Sequence, residues 1–427
     1  TWTQLMHSKP LVTVYIPNHN YSAYIEQAVE SLLAQTMDDF EAIIIDDGST
    51  DGSHGIISQW EDHPKIRVIY QQNKGLNITN NIALRASRGK YIMRLDADDF
   101  LDENALQLLS DALNRKPDVG LVFPDYYLVD SSGEVMEHVR RHDFQQVDLL
   151  DQPAHGACTM IRRSCLEELG GYDESFRCQD GYELWLRFIR RFGVHNVNLP
   201  LFYYRQHDKS LTKKEDVILD TRSSILAKHA NGNGEEYGGV LAVVPVRGSV
   251  ADPDSLALKD LGGKPLMDWT VDAALAAERV TRVVLTSPDQ EVLAHARDTY
   301  GDKIAVIARD VKMASLNTHV ADSVRHALDK LGNARDTDAI AVLFIEAPFR
   351  TAGQIDSAVD VKRLFQVDTV VGVRPEIATV YRHTGAGLSP VRNSITMRLE
   401  REELLRDVGR MQVVDMEYFT QTGSLVG

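Results

Sequence analysis

Apolar residues along this chain come in two rhythms, short β-branched runs and longer stretches with helical spacing, and the two alternate. Leu11 to Ile16 (LVTVYI) reads as a strand that Pro17 is expected to stop. From Tyr24 to Gln35, Ile25, Ala28, Val29, Leu32 and Leu33 share one helical face. Glu41 to Ile45, Ile66 to Tyr70 and Tyr91 to Leu95 read as three further strands, with helical patterns between them. This alternation predicts a mostly parallel sheet covered on both faces. In such sheets the ligand lies outside the carboxyl ends of the strands. Two acidic clusters fall there, Asp46-Asp47-Gly48-Ser49-Thr50-Asp51 and Asp96-Ala97-Asp98-Asp99.

A helical pattern from about Asp216 to Ala230 runs into Asn231-Gly232-Asn233-Gly234 and then Gly238-Gly239. Such a Gly/Asn stretch is expected to be an interdomain linker. A second alternation follows, with strands expected at Val240 to Pro245, Arg282 to Thr286, Ala339 to Ile345 and Val367 to Val373. The expected organisation is therefore α/β, with two nucleotide-binding α/β/α domains over 1–230 and 240–427 joined by a linker over 231–239. A length of 427 residues suits two or three domains.

The formal net charge of −16 argues against nucleic acid or an anionic membrane as the main partner. The three cysteines, Cys158, Cys165 and Cys178, form no C-x-x-C pair and are expected to be small buried hydrophobes in a reducing compartment. No apolar run approaches the roughly 18 residues of a membrane span and no signal peptide opens the chain. The expectation is a cytoplasmic protein, at most peripheral at the inner membrane face, that does not thread a polymer through the bilayer. Thr1 in place of an initiating Met and the stop at Gly427 suggest that the sequence is incomplete at its ends.

Candidate chemistry centres on Asp96-Ala97-Asp98-Asp99. Three carboxylates in this short stretch repel one another, and a hard divalent cation, Mg²⁺ or Mn²⁺, relieves the repulsion and can bridge to a diphosphate. The other reading makes Asp98 and Asp99 the acidic N-terminus of a helix from about Glu103. Asp180, just ahead of the helical pattern in QDGYELWLR, reads as an exposed carboxylate able to take a proton, or as an ordinary cap. His207 follows Tyr204-Arg205-Gln206; beside Arg205 it could meet a phosphate, although a lone histidine is more often structural.

From about Pro10 to Thr212 the order of motifs resembles the family 2 glycosyltransferases of the GT-A fold. The matching stretches are IPNHN, QTMDDFEAIIIDDGSTDGS, NKGLN, RGKYIMRLDADD, GGYDESF, QDGYELWLR and YRQHDKSLT. The resemblance implies an inverting single displacement from a nucleotide-sugar donor to a glycan, lipid-linked or protein acceptor. It implies donor-nucleotide contacts from Pro17, Asn18, Asn20, Asp47, Asn73, Asp96 and Ala97. Asp98, Asp99 and His207 would hold Mn²⁺ or Mg²⁺, and Asp180 would be the general base. One departure is Asn80, where many members carry Arg before Asn.

From Val240 onward the chain resembles the cytidylyltransferases that activate acidic sugars. The stretches are VVPVRGS, LKDLGGKPL, RVVLTSPDQEVLAHARDTYG, VLFIEAPFRTAGQIDSAV and VDTVVGV. A strand entering a Gly-containing loop is a shape that cradles phosphate, and Arg247, Gly248, Ser249 and Lys259 are the candidate nucleotide contacts, with Arg350 behind them. Three departures stand out. Val250, Asp252 and Asp254 occupy the place of a basic loop, Glu346 and Ala347 replace polar groups, and the chain stops before the carboxylate motif that completes the metal site. Two readings stay open: an enzyme making a CMP-activated acidic sugar, or a retained fold that binds without chemistry and forms a homodimer.

Overall fold

The computed structural model describes residues 9–140, 156–176, 178–207, 215–231, 237–315, 319–332, 337–376, 380–385, 387–391 and 405–427. These residues form two compact units, divided between Arg222 and Ser223 inside the helix Glu215–Asn231. Asn231 ends that helix and Gly239 opens the next strand, and 232–236 of the expected linker lie outside the described residues.

The first unit contains β1 Val12–Asn18, β2 Phe40–Asp47, β3 Ile66–Gln71, β4 Tyr91–Arg94, β5 Phe100–Leu101, β6 Val119–Val129, β7 Val135–Val139, β8 Met160–Arg162 and β9 Gly193–Arg205. Among the described residues they form one sheet in the order β3-β2-β1-β4-β8-β6-β9-β5, with β7 on β6. β1 to β4 are parallel, β8 is antiparallel to both β4 and β6, and β6 thereby regains the direction of β4.

Each central strand is apolar on both sides, because both faces are covered. Val12, Val14 and Ile16 pack with Ala42, Ile44 and Met93 on one face, under the helices Ile25–Leu33 and Ala105–Arg115. The alternate residues Tyr15, Ile43, Ile45 and Ile92 pack on the other, with Ala83, Leu84, Leu184, Trp185 and Phe188 from the helices Leu76–Ala86 and Asp180–Phe188. The period of two along the strands assigns each residue to its face.

Pro17 does not stop β1, which runs on to Asn18 with Pro17 opposite Ile45. Tyr15 O accepts from Leu95 N at 3.0 Å, so Pro17, two residues on, turns its missing N–H toward the same side. The β4 ladder has already ended there at Tyr15 and Arg94, and no hydrogen bond is lost.

The second unit contains β10 Gly239–Pro245, β11 Val280–Ser287, β12 Ala305–Ala308, β13 Thr337–Leu343, β14 Thr369–Pro375, β15 Tyr381–His383, β16 Leu388–Pro390 and β17 Leu405–Asp415. The main sheet has the order β12-β11-β10-β13-β17-β14, and β15 pairs with β16 apart from it. β10 to β13 are parallel and β17 is antiparallel to both β13 and β14. The two units thus share an order: the third, second, first and fourth strands run parallel, then comes a late antiparallel strand, then a strand in the original direction, β6 in the first unit and β14 in the second. One face carries Met267, Val271, Leu293, Ile355 and Val359, the other Val324, Ala327 and Phe419.

Glu41 is a buried charge near the start of β2. It is 4% exposed and accepts from Thr13 Oγ1 at 2.7 Å, Arg88 N and Nε both at 2.8 Å, and Arg67 Nη2 at 3.2 Å. Burial alone would raise its pKa, but these donors together hold it below the ordinary value. A depressed carboxylate contributes stability above its unfolded pKa of about 4.3 and loses it as pH falls through the folded value. We predict that Glu41→Gln lowers unfolding free energy at pH 7 by about 1–3 kcal/mol. The gap to wild type in urea denaturation should narrow below about pH 4.

Candidate functional site

The carboxyl ends of β1, β2 and β4 meet at one edge of the first unit. From β1, Asn18 Nδ2 donates to Asp46 Oδ1 at 3.1 Å and to Ser49 Oγ at 3.0 Å, and Pro17 lies beside it in the same strand. Asn20, at φ 64°, accepts from Thr50 N at 2.7 Å through its side-chain oxygen. Asp47, 5% exposed, accepts from Gln71 Nε2 at 2.7 Å, Lys74 N at 2.8 Å and Gly75 N at 2.9 Å. Its carboxylate therefore ties the β2 end to the loop after β3. Asn73 of that loop reaches the His19 ring at 3.1 Å. Gly48 permits this approach: its φ is 73°, and a Cβ there would come within 2.7 Å of Asn73 N.

The acidic cluster does not cap a helix. The helix begins at Ala105 with Asn104 at the cap position, and Asp98 and Asp99 lead instead into β5. Asp99 is 1% exposed; its Oδ1 accepts from Arg205 N at 2.9 Å, and its Oδ2 has no partner among the described residues. Burial, then Asp98 and Asp96, push its pKa well above the carboxylate range. Asp96 is pushed up to about 6 by burial, against the pull of Arg94 and with the help of Asp98 and Asp180. Ala97 between them is 1% exposed.

His207 comes from the far end of the unit to Asp98, its Nε2 2.9 Å from Asp98 Oδ2. Tyr24 stacks on the imidazole with ring centroids 5.0 Å apart, and Tyr21 meets it edge-on at 5.8 Å. Burial and then Asp98, Asp96 and Asp99 hold the Tyr21 hydroxyl firmly protonated. Arg205 turns its donors into the protein. It is 2% exposed, with donors given to the Asp98, Asp130 and Ser131 carbonyls and to Gln27 Oε1, and its guanidinium lies over Tyr24. Residues 208–212 of the matching motif lie outside the described residues.

Asp180 is the first residue of its helix, with Gln179 at the cap position, rather than just ahead of it, and its carboxylate is not exposed. At 7% exposure it pairs with Arg94 and accepts from Asn80 Nδ2 at 3.0 Å. Asn80, the departure noted in the sequence, also accepts from Tyr15 Oη at 3.1 Å. Arg94 was not singled out from sequence, although a charge inside the apolar run Tyr91 to Leu95 was the signal. Cys158 and Cys165 are buried, whereas Cys178 is half-buried and its Sγ lies 3.2 Å from Thr221 Oγ1.

In the second unit the expected phosphate cradle is already filled. Asp289 Oδ2 accepts from Ser249 Oγ at 2.8 Å and Val250 N at 3.3 Å, and a Cβ at Gly248 would collide with the same carboxylate. Arg247 donates to Ala314 O at 3.0 Å and Lys259 is exposed. Arg350 Nη2 donates to the carbonyls of Phe344, Gly409 and Arg410 at 3.2, 2.7 and 2.7 Å, while its Nε and Nη1 are buried with no partner among the described residues.

The chain has relatives among known proteins. Residues 13–170 match the model of glycosyl transferase family 2, and the N-terminal half of the chain is a glycosyltransferase family 2 domain. Over 213 residues the chain is 41% identical to chondroitin synthase of Escherichia coli, covering 49% of this chain and 31% of that protein. It is 30% identical to an uncharacterized glycosyltransferase of Rickettsia typhi, covering 48% of this chain and 66% of that one. The chain thus spans less than two thirds of the length of either relative. Among solved structures, TarS 1–349 of S. aureus in complex with UDP-GlcNAc aligns with a TM-score of 0.45 and 16% identity, over 53% of this chain and 68% of that chain. No helix among the described residues is long and apolar enough to cross a membrane.

The Gly48 approach yields a prediction. Gly48→Ala should lower stability by about 1–3 kcal/mol in urea denaturation, from the left-handed backbone and the encounter with Asn73. An unchanged midpoint would mean that the two loops do not need this contact.

Proposed function

We propose that the first unit transfers a sugar from a nucleotide-sugar donor to an acceptor hydroxyl, by an inverting single displacement assisted by a divalent cation. The observation that carries this reading is the 2.9 Å pairing of His207 with Asp98 beside the partnerless oxygen of buried Asp99. No group of three or more His, Cys, Asp or Glu forms a ready metal cage among the described residues. The donor set nevertheless fits: a carboxylate and an imidazole suit Mn²⁺, and hard oxygen donors suit Mg²⁺. Asp98 and His207, with Asp99 adjoining, would hold the cation, which when bound supplies the positive charge against which a nucleoside diphosphate leaves.

Asp96, Asn18, Asn20 and the loop fixed by Asp47 would receive the nucleotide at the strand ends. Tyr21 and Tyr24 would keep the imidazole of His207 turned toward Asp98. Asp180 would accept the proton of the attacking hydroxyl from the opposite side of Arg94. By analogy with the chondroitin synthase relative, the product is a polysaccharide, and surface glycan synthesis is the proposed role. We place the protein in the cytoplasm, at most peripheral at the inner membrane face.

For the second unit we infer a nucleotidyltransferase-like fold kept for binding or assembly. Its support is the shared strand order together with Asp289 in the loop that would take a triphosphate. Exposed Tyr381, Leu388 and Val391 around the β15–β16 hairpin favour a homodimer formed through this unit.

Two measurements test these readings. The full chain is melted with Mn²⁺ and UDP, GDP, TDP or CMP in turn, beside Asp98→Ala and Asp180→Asn. One nucleotide at about 100 times its dissociation constant should stabilise the wild type by roughly 2.7 kcal/mol. The shift should require metal, vanish in Asp98→Ala and persist in Asp180→Asn, which should lack transfer. A metal-independent shift, or transfer by Asp180→Asn, would overturn the assignments. For the second unit, CTP with Mg²⁺ should produce no pyrophosphate with any acidic sugar, and release of pyrophosphate would restore the synthetase reading.

A further inference from the structure

Arg94 leaves the carboxyl end of β4 with a side chain only 6% exposed, and two carboxylates from opposite sides of the site share its guanidinium. Its Nε lies 2.7 Å from Asp96 Oδ1 as an ion pair without a hydrogen bond, its Nη2 donates to Asp96 Oδ2 at 3.4 Å, and its Nη1 pairs with Asp180 Oδ2. The same Asp180 oxygen accepts from Asn80 Nδ2 at 3.0 Å, Asn80 Oδ1 accepts from Tyr15 Oη at 3.1 Å, and Tyr15 Oη lies 3.3 Å from Tyr172 Oη. Space for the guanidinium is reserved at Gly156, where any Cβ would collide with it. A guanidinium is planar with donors at fixed angles, so binding one carboxylate fixes the direction offered to the second.

We propose that Arg94 is a positioning residue that sets the place and orientation of the Asp180 carboxylate relative to Asp96 on the donor side. Base and donor are then registered to one another by one rigid group, independently of the loops between β4 and the helix Asp180–Phe188. The inference rests on reading Asp180 as the general base. It is distinct from charge balance alone, which a lysine would also supply. The groups facing Asp180 are Arg94 and Asp96 from the end of β4, Asn80 from the helix Leu76–Ala86, Tyr15 from β1 and Tyr172. Without Arg94, no cation in this set separates Asp180 from Asp96.

The test compares the full chain with Arg94→Lys, Arg94→Met and Gly156→Ala, the last crowding the guanidinium with its charge intact. Folding is followed by circular dichroism. Turnover is read as nucleotide released from a panel of UDP-, GDP-, TDP- and CMP-sugars with Mn²⁺. The Asp180 carboxyl is followed by ¹³C resonance in aspartate-labelled protein, assigned through Asp180→Asn. All three variants should fold, and kcat should fall by about 100-fold in Arg94→Lys and Arg94→Met, more than KM changes. Gly156→Ala should move in the same direction. In Arg94→Met the Asp180 carboxyl ¹³C resonance should move from its wild-type position. Wild-type kcat in Arg94→Lys would reduce Arg94 to a charge and overturn the proposal. So would an unmoved Asp180 resonance in Arg94→Met, a result that can be read with no substrate at all. Turnover in Asp180→Asn would instead sink the base assignment, and the resonance would still decide whether Arg94 governs that carboxylate.

Discussion

Four carboxylates, Asp96, Asp98, Asp99 and Asp180, converge at the strand ends of the first unit, and the rest of the site is arranged around their repulsion. The described side chains meet it with two groups: Arg94 lies between Asp96 and Asp180, and His207 lies against Asp98. Asp99 keeps a buried oxygen with no partner, and its carboxyl is driven well above the usual range. Buried like charges at this spacing are tolerated when a cation or a proton is present. The scaffold keeps the acids from relaxing outward, because β1, β2 and β4 are clamped by apolar cores on both faces.

The shared topology of the two units shows how little of this chemistry belongs to the frame. In both, four parallel strands are followed by one antiparallel strand and then a fifth in the original direction. In the first unit the strand ends gather acids around an imidazole. In the second the corresponding loop is closed by Asp289, which also caps the helix Gln290–Tyr300 through Glu291 N. Close by, Arg309 is buried and held down to about 10 by burial and by Arg247, with its Nε and Nη1 lacking partners among the described residues. Function lives in these side chains at the strand ends, and the sheet only delivers them.

Much of the fold was legible because two-sided burial leaves a plain signal, a run such as Ile43-Ile44-Ile45 followed by acids. The acidic clusters were legible for the same reason, since polar residues at the ends of apolar strands mark the edge where ligands bind. What was not legible depended on partners far away in sequence. Asp180 looked exposed until Arg94 and Asn80 covered it, and Arg205 looked free beside His207 until three carbonyls and Gln27 took its donors. Asp98 and Asp99 resembled a helix cap because nothing local reveals that β5 intervenes. The loop at Gly248 resembled a phosphate cradle because its occupant, Asp289, lies beyond the next strand.

The central claim is that the Asp98–His207 pair is where a divalent cation enters the site. Anomalous diffraction at the manganese edge, from crystals grown with Mn²⁺ and the nucleotide that stabilises the chain, measures this directly. The account predicts one strong peak within coordinating distance of both Asp98 and His207, with the nucleotide phosphates against it. A fully ordered nucleotide at the ends of β1 and β4 with no manganese beside Asp98 and His207 would contradict it.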